Sequence, residues 1–83
     1  SMRASSLGIG GYGYQLSDLK AIKGVKELFL SEINIDDPEV LGEMENLEYL
    51  KWEEEPGFVR ERESQMLEEA ADKYGIKFET YVH

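Results

Sequence analysis

The feature that most constrains the fold of this chain is a set of apolar positions that recurs at a fixed step of about 22 residues. The first set consists of Leu19, Ile22, Val25, Leu28 and Leu30. Its counterparts are Leu41, Met44, Leu47, Leu50 and Trp52. A weaker copy follows at a step of about 26 residues, at Leu67, Ala70, Ile76 and Phe78. A period of this length is typical of units that cannot bury their apolar face alone and therefore stack on neighbours. The pattern predicts an architecture but not a function.

Size and composition narrow the class of protein. A chain of 83 residues is at most one domain, and we expect that domain to span residues 6–83, with residues 1–5 a tag remnant or disordered start. The absence of cysteine excludes disulfides, a thiolate nucleophile and cysteine-ligated zinc. A net charge of −9 repels phosphate backbones and anionic bilayers, so we expect neither nucleic acid nor membrane as partner. With no apolar run of about 18 residues, a cytoplasmic location is the expectation.

Local signals predict strands that alternate with helices. The strands are expected near residues 6–10, 25–31, 47–52 and 76–82. Ser17 and the run Asp36-Asp37-Pro38 are predicted helix starts, and Gly24, Asn46 and Gly75 are predicted helix ends. The third helix is expected over residues 58–74, with Glu69 forming an ion pair with Lys73 one turn later. Because every connection between strands is then a crossover, the sheet should be mainly parallel, with right-handed crossovers.

Two segments carry a resemblance to a known family. Both segments resemble the L-x-x-L-x-L core of a leucine-rich repeat. They are Val25-x-x-Leu28-x-Leu30 and Leu47-x-x-Leu50-x-Trp52. The resemblance covers residues 19–55 closely and residues 67–82 less closely. It implies a short right-handed β-α repeat in the α/β class, with a three- to four-stranded mainly parallel sheet and the helices on one face.

The chain departs from the pattern of that family at two kinds of position. Ile33 and Glu55 occupy the slots where the family places Asn or Cys, and Asn34 comes one residue late. In the third unit Lys73 stands in an apolar slot, and Tyr74 is expected to replace it with a shift of one residue. Trp52 fills a leucine slot and is therefore predicted to lie in the core.

The alternation that assigns strand side chains to the core or to the outer face of the sheet also predicts a binding surface. If the leucines point to the core, the residues between them form an exposed sheet face, made of Phe29, Ser31, Tyr49, Lys51, Glu53, Lys77, Glu79 and Tyr81. Tyr and Phe are enriched at the centres of protein interfaces. We therefore predict a non-enzymatic protein-binding module that uses this face or an open sheet edge, with a second copy of the chain as one candidate partner at the edge. The alternative is that the aromatic side chains only pack on each other across the sheet.

A glycine-rich segment near the start allows a different function. Gly8-Ile-Gly10-Gly-Tyr-Gly13 fits the G-x-G-x-x-G dinucleotide fingerprint, and Glu32, at the end of the next predicted strand, lies near the position of a ribose-binding acid. The preceding strand is short and polar, the helix starts late, and the chain leaves no room for a second nucleotide-binding half. We therefore interpret the glycines as a mobile or tightly turning segment, and a nucleotide-binding fragment is the alternative. A further alternative is an acidic inhibitor that covers a basic protein.

The remaining polar residues predict no catalytic chemistry, cofactor or metal. His83 is the only histidine and the last residue, so we expect a solvated tail. The acids Glu43, Glu45, Glu48, Glu53, Glu54 and Glu55 lack the D-x-D-x-D-G spacing of a calcium loop and are predicted to form a solvated acidic surface. The sequence thus predicts a protein that is not an enzyme.

Overall fold

Four parallel strands and three helical segments make up the part of the chain that the structure describes. A computed structural model describes residues 6–11, 13–22, 24–54 and 61–82. In chain order it contains strand β1 (Ser6–Gly10), a 3-10 helix (Leu16–Ala21), β2 (Glu27–Ser31), a second 3-10 helix (Pro38–Glu43), β3 (Tyr49–Glu54), helix α1 (Glu61–Lys73) and β4 (Lys77–Val82). The sheet order is β1-β2-β3-β4, and every neighbouring pair is parallel. The predicted α/β class and parallel sheet are confirmed.

The sheet register measures the step between strands directly. Leu28 pairs with Leu50, which confirms the predicted step between the first two units, and Leu7 pairs with Leu28 at a step one residue shorter. The step from β3 to β4 is longer than predicted, because Leu50 pairs with Phe78 and not with Ile76. The prediction for this step was wrong by two residues. An error of two leaves every side chain on its predicted side of the sheet, since strand side chains alternate with a period of two.

The first connection differs from its prediction at both ends. Its 3-10 helix is capped by Gln15, whose backbone N–H donates to the Asp18 carboxylate at 3.0 Å. The helix ends at Ile22, ahead of the predicted Gly24. Ser17 is not the cap, because its backbone N–H instead donates to the Asp36 carboxylate at 3.0 Å. Ser17 thus ties this helix to the next unit, and its hydrogen bonds hold the pKa of Asp36 below its usual value.

The second connection begins as predicted and ends differently. The Asp37 side chain accepts a hydrogen bond from the backbone N–H of Glu39 at 3.2 Å, and Pro38 opens the helix. The helix closes at Met44, so the predicted left-handed Asn46 cap is wrong. Among the described non-glycine residues only Glu32, directly after β2, has a positive φ, of 57°.

Helix α1 ends at a glycine, as predicted. Gly75 has φ +72°, and its N–H donates to the Asp72 carbonyl while the Ile76 N–H donates to the Ala71 carbonyl at 2.8 Å. This pair of bonds is the Schellman motif, in which a left-handed residue lets the chain leave the helix at once. The helix covers Glu61–Lys73, and the predicted earlier part, residues 58–60, lies outside the described residues.

The end of α1 is anchored on the second 3-10 helix. The Lys73 ammonium lies 2.9 Å from the Glu39 carboxylate, in place of the predicted pair with Glu69. The Tyr74 hydroxyl donates to the same carboxylate, and its ring lies over Gly42. Tyr74 is exposed, so the prediction that it fills a core slot was wrong. These hydrogen bonds lower the pKa of Glu39, mainly through Tyr74 and then through Lys73.

Among the described residues, one apolar core lies between the sheet and the helical segments. Its fully buried side chains include Leu16, Leu28, Leu30, Ile33, Val40, Leu41, Leu50, Trp52 and Leu67. The core position predicted for Trp52 is confirmed. Ile33, at the position where a leucine-rich repeat places Asn or Cys, is an apolar core residue, whereas the side chain of Asn34 is exposed and its backbone bridges to Gln15. Within the described residues, no helix is both long and apolar enough to cross a bilayer.

Candidate functional site: the open sheet face

The helical segments cover one side of the sheet and leave the other side open. The outward positions of the four strands form what we call the open sheet face: Ser6, Gly8, Gly10, Glu27, Phe29, Ser31, Tyr49, Lys51, Glu53, Lys77, Glu79 and Tyr81. All eight residues predicted to bind a partner lie on this face. The structure therefore brings the predicted residues together, and their binding role stays a prediction.

The parallel register arranges the face in three rows that run across the strands. The rows are Ser6-Glu27-Tyr49-Lys77, Gly8-Phe29-Lys51-Glu79 and Gly10-Ser31-Glu53-Tyr81. Three glutamates against two lysines give the face a charge of −1, although the whole chain carries −9. The acidic excess of the protein therefore lies mostly elsewhere.

The aromatic side chains of the face are held in defined positions. The rings of Phe29 and Tyr49 lie 6.0 Å apart at 67°, an edge-to-face contact. The Tyr49 hydroxyl donates to the Glu79 carboxylate at 2.7 Å, which raises the pKa of Tyr49. The Lys51 ammonium lies 4.7 Å from the centre of the Tyr81 ring, a cation–π contact. These contacts link three strands through side chains and limit the motion of the face.

Two of these aromatic side chains nevertheless remain accessible. Phe29 is 36% exposed and Tyr81 is 45% exposed, while Tyr49 between them is half-buried. The Phe29 side chain has no polar atom, so contact of its exposed area with water is unfavourable in free energy. Packing on neighbours thus explains Tyr49 better than it explains Phe29 or Tyr81.

A hollow lies along β1. A Cβ atom at Gly8 would have no heavy atom within 4 Å, so the Phe29 ring does not cover its neighbour in the row. The hollow, of about 220 Å³, is bounded by Gly8, Ile9, Gly10 and Tyr14, and Tyr14 is 54% exposed. The sequence interpretation missed Tyr14 and gave the glycines a different role. The alternation of Leu7 and Ile9 was the available signal, because pairing Leu7 with Leu28 sets Gly8 beside Phe29.

The glycine segment has a different geometry from a dinucleotide-binding loop. Gly8 and Gly10 lie inside β1, whereas the fingerprint needs them in the turn between strand and helix. The helix that follows is a short 3-10 helix that starts only at Leu16. Glu32 lies just past the end of β2, in the left-handed region. The arrangement therefore offers no row of helix N–H groups toward these glycines in the part of the chain that the structure describes.

The acidic residues do not converge on a metal site in the described part of the chain. No group of three or more His, Asp or Glu side chains there could hold an ion. Glu43, Glu45 and Glu48 are exposed, and Glu53 lies on the open sheet face. Glu54 is buried against Trp52, contrary to the predicted solvated surface, while Glu55 and His83 lie outside the described residues.

Comparisons with known proteins found no relative of this chain. No protein-family model, curated protein or solved structure matches this chain at a significant level. The resemblance to a leucine-rich repeat thus stays a prediction from the residues. The function has to be inferred from the geometry of the site.

Proposed function

We propose that this chain is a non-enzymatic protein-binding module and that the open sheet face is its main binding surface. The observation that carries the proposal is the exposure of Phe29 and Tyr81 on a sheet whose other side is filled by core. Exposed aromatic side chains that neighbouring side chains hold in place are enriched at protein interfaces and among their anchors.

The physical arrangement favours a protein as the partner. Aromatic residues surrounded by charged ones match the composition of an interface core and its rim. Because Tyr49 and Lys51 are already held by their neighbours, binding orders few additional side chains and costs correspondingly little entropy. The low net charge of the face also permits close approach of a partner without strong repulsion.

A photocrosslinking experiment tests this proposal. A photoreactive phenylalanine analogue replaces Phe29 in one sample and the exposed Lys20, on the helix side, in the control sample. We expect a protein partner from the native source to be crosslinked at position 29 and not at position 20. Unlabelled wild-type chain should compete, and a folded Tyr49→Ala, Tyr81→Ala variant should compete about tenfold less well, as for loss of an interface anchor. Equal competition by this variant, with its circular dichroism unchanged, refutes the proposal.

A further inference from the structure

The outer edge of β4 presents backbone groups that no described strand pairs. The Lys77 N–H donates to the Glu48 carbonyl at 3.0 Å, so the backbone groups of Lys77 point toward β3. Backbone direction alternates along a strand, which turns the N–H and C=O groups of Phe78, Thr80 and Val82 away from β3. Since β4 is the last strand in the sheet order, these groups have no strand partner among the described residues.

A groove runs along this edge, between β4 and α1. One part, of about 440 Å³, is lined by Gln65, Glu68, Glu69, Asp72, Ile76 and Phe78. The adjoining part, of about 320 Å³, shares Gln65 and Glu68 and continues to Glu61 and Thr80. Gln65 and Glu68 border both parts, which follow one another along β4 from Ile76 to Thr80. The length of the groove therefore suits an extended segment.

The two walls of the groove differ in chemistry. Ile76 and Phe78 form an apolar wall, and Phe78 is only half-buried. The α1 wall is acidic, and neither Glu68 nor Asp72 has an ion-pair partner among the described residues. Helix α1 as a whole carries five acids and two bases. A segment that entered the groove would therefore meet uncompensated negative charge on one side.

We propose that the β4 edge and this groove bind an extended basic segment of another polypeptide as a fifth strand. The segment would pair with the outward backbone groups of β4, and its Lys or Arg side chains would lie against the carboxylates of α1. The inference rests on the proposal that this chain is a protein-binding module and is independent of the open sheet face. A second copy of this chain suits the site poorly, because its edge strand β1 carries no basic residue, its edge strand β4 carries only Lys77 beside Glu79, and each copy carries −9.

The test uses a fluorescein-labelled peptide, Lys-Thr-Lys-Val-Lys-Thr-Lys, and fluorescence anisotropy at low salt. We expect binding that weakens as salt increases. The variant Glu68→Gln, Asp72→Asn should bind about fivefold less tightly, because two carboxylates of the groove are removed. The matched control is Glu43→Gln, Glu45→Gln, which removes two exposed carboxylates outside the groove and should bind within about twofold of wild type.

Methylated peptides test the strand pairing separately from the charge. Alternate amides of an added strand face β4. One peptide is N-methylated at its lysine amides and a second at the intervening amides, and we expect one of these two peptides to lose binding. The inference is overturned if both methylated peptides bind like the parent, if the groove variant binds like its control, or if no peptide binding is seen. Phe29→Ser lies two strands away and should leave peptide affinity unchanged. Loss of binding in that variant alone would refute the edge site and favour the open sheet face.

Discussion

The hydrogen bond between Trp52 and Glu54 makes a quantitative prediction about stability. The Trp52 side chain is fully buried, and its indole N–H donates to Glu54 Oε1 at 3.1 Å, where Glu54 itself is only 7% exposed. A buried bond to a charged acceptor contributes about 1.5–3 kcal/mol. Glu54→Leu removes this acceptor from a buried donor, so we expect a loss of about 2 kcal/mol. For a domain of this size that loss lowers Tm by about 8–16 °C.

A double-mutant cycle isolates this bond from the change in packing. Trp52→Phe removes the donor, and urea unfolding followed by circular dichroism gives the stability of wild type, both single variants and the double variant. We expect a coupling energy of about 2 kcal/mol between the two positions. Glu48→Leu makes the same charge change at an exposed site and should alter stability by less than about 0.5 kcal/mol. A coupling energy near zero would refute the assignment of the bond.

Two further predictions concern the contact between the end of α1 and the second 3-10 helix. A Cβ at Gly42 would collide with the Tyr74 ring, so Gly42→Ala should cost about 1–2 kcal/mol in urea unfolding, whereas Gly8→Ala, with open space around its Cβ, should be neutral or stabilising. An equal effect of the two changes would contradict this contact. Hydrogen bonds from Tyr74 and Lys73 lower the pKa of Glu39 in the folded state. The ionised Glu39 therefore contributes to folding stability at pH values above the usual carboxyl pKa, and this contribution is lost as the pH falls through the lowered pKa. The stability difference between wild type and Glu39→Gln should therefore narrow from about pH 7 to about pH 3, and a constant difference would contradict the ion pair.

The parts of the fold that follow from local apolar spacing were predictable from the sequence. Leu28 and Leu50 fix two strands and their pairing, because a buried leucine can face only one side of a sheet. The sorting of side chains into core and open sheet face followed directly. The position of Phe29 on the open sheet face is a consequence of this alternation alone.

The partners of individual charged side chains were not predicted in the same way. Spacing within a helix suggested that Lys73 pairs with Glu69, but the second 3-10 helix supplies Glu39 as the partner. The charge of Glu54 suggested exposure, yet the buried indole of Trp52 supplies a donor for it. The partner of Lys73 comes from a different element, so local pattern carries no information about it. Glu54 instead lies two residues after Trp52 on the same face of β3, where strand alternation indicates burial and the charge alone suggested exposure.

The step that departs most from the repeat also creates the groove at the β4 edge. The first two connections use 3-10 helices of six residues, about 12 Å long, whereas α1 has 13 residues and a length of about 20 Å. Strand β4, with six residues, also spans about 20 Å. A helix as long as the strand beside it forms a wall along the whole strand, which a short 3-10 helix cannot do. The long step from Leu50 to Phe78, which the apolar pattern alone underestimated, is therefore the physical basis of the proposed peptide site.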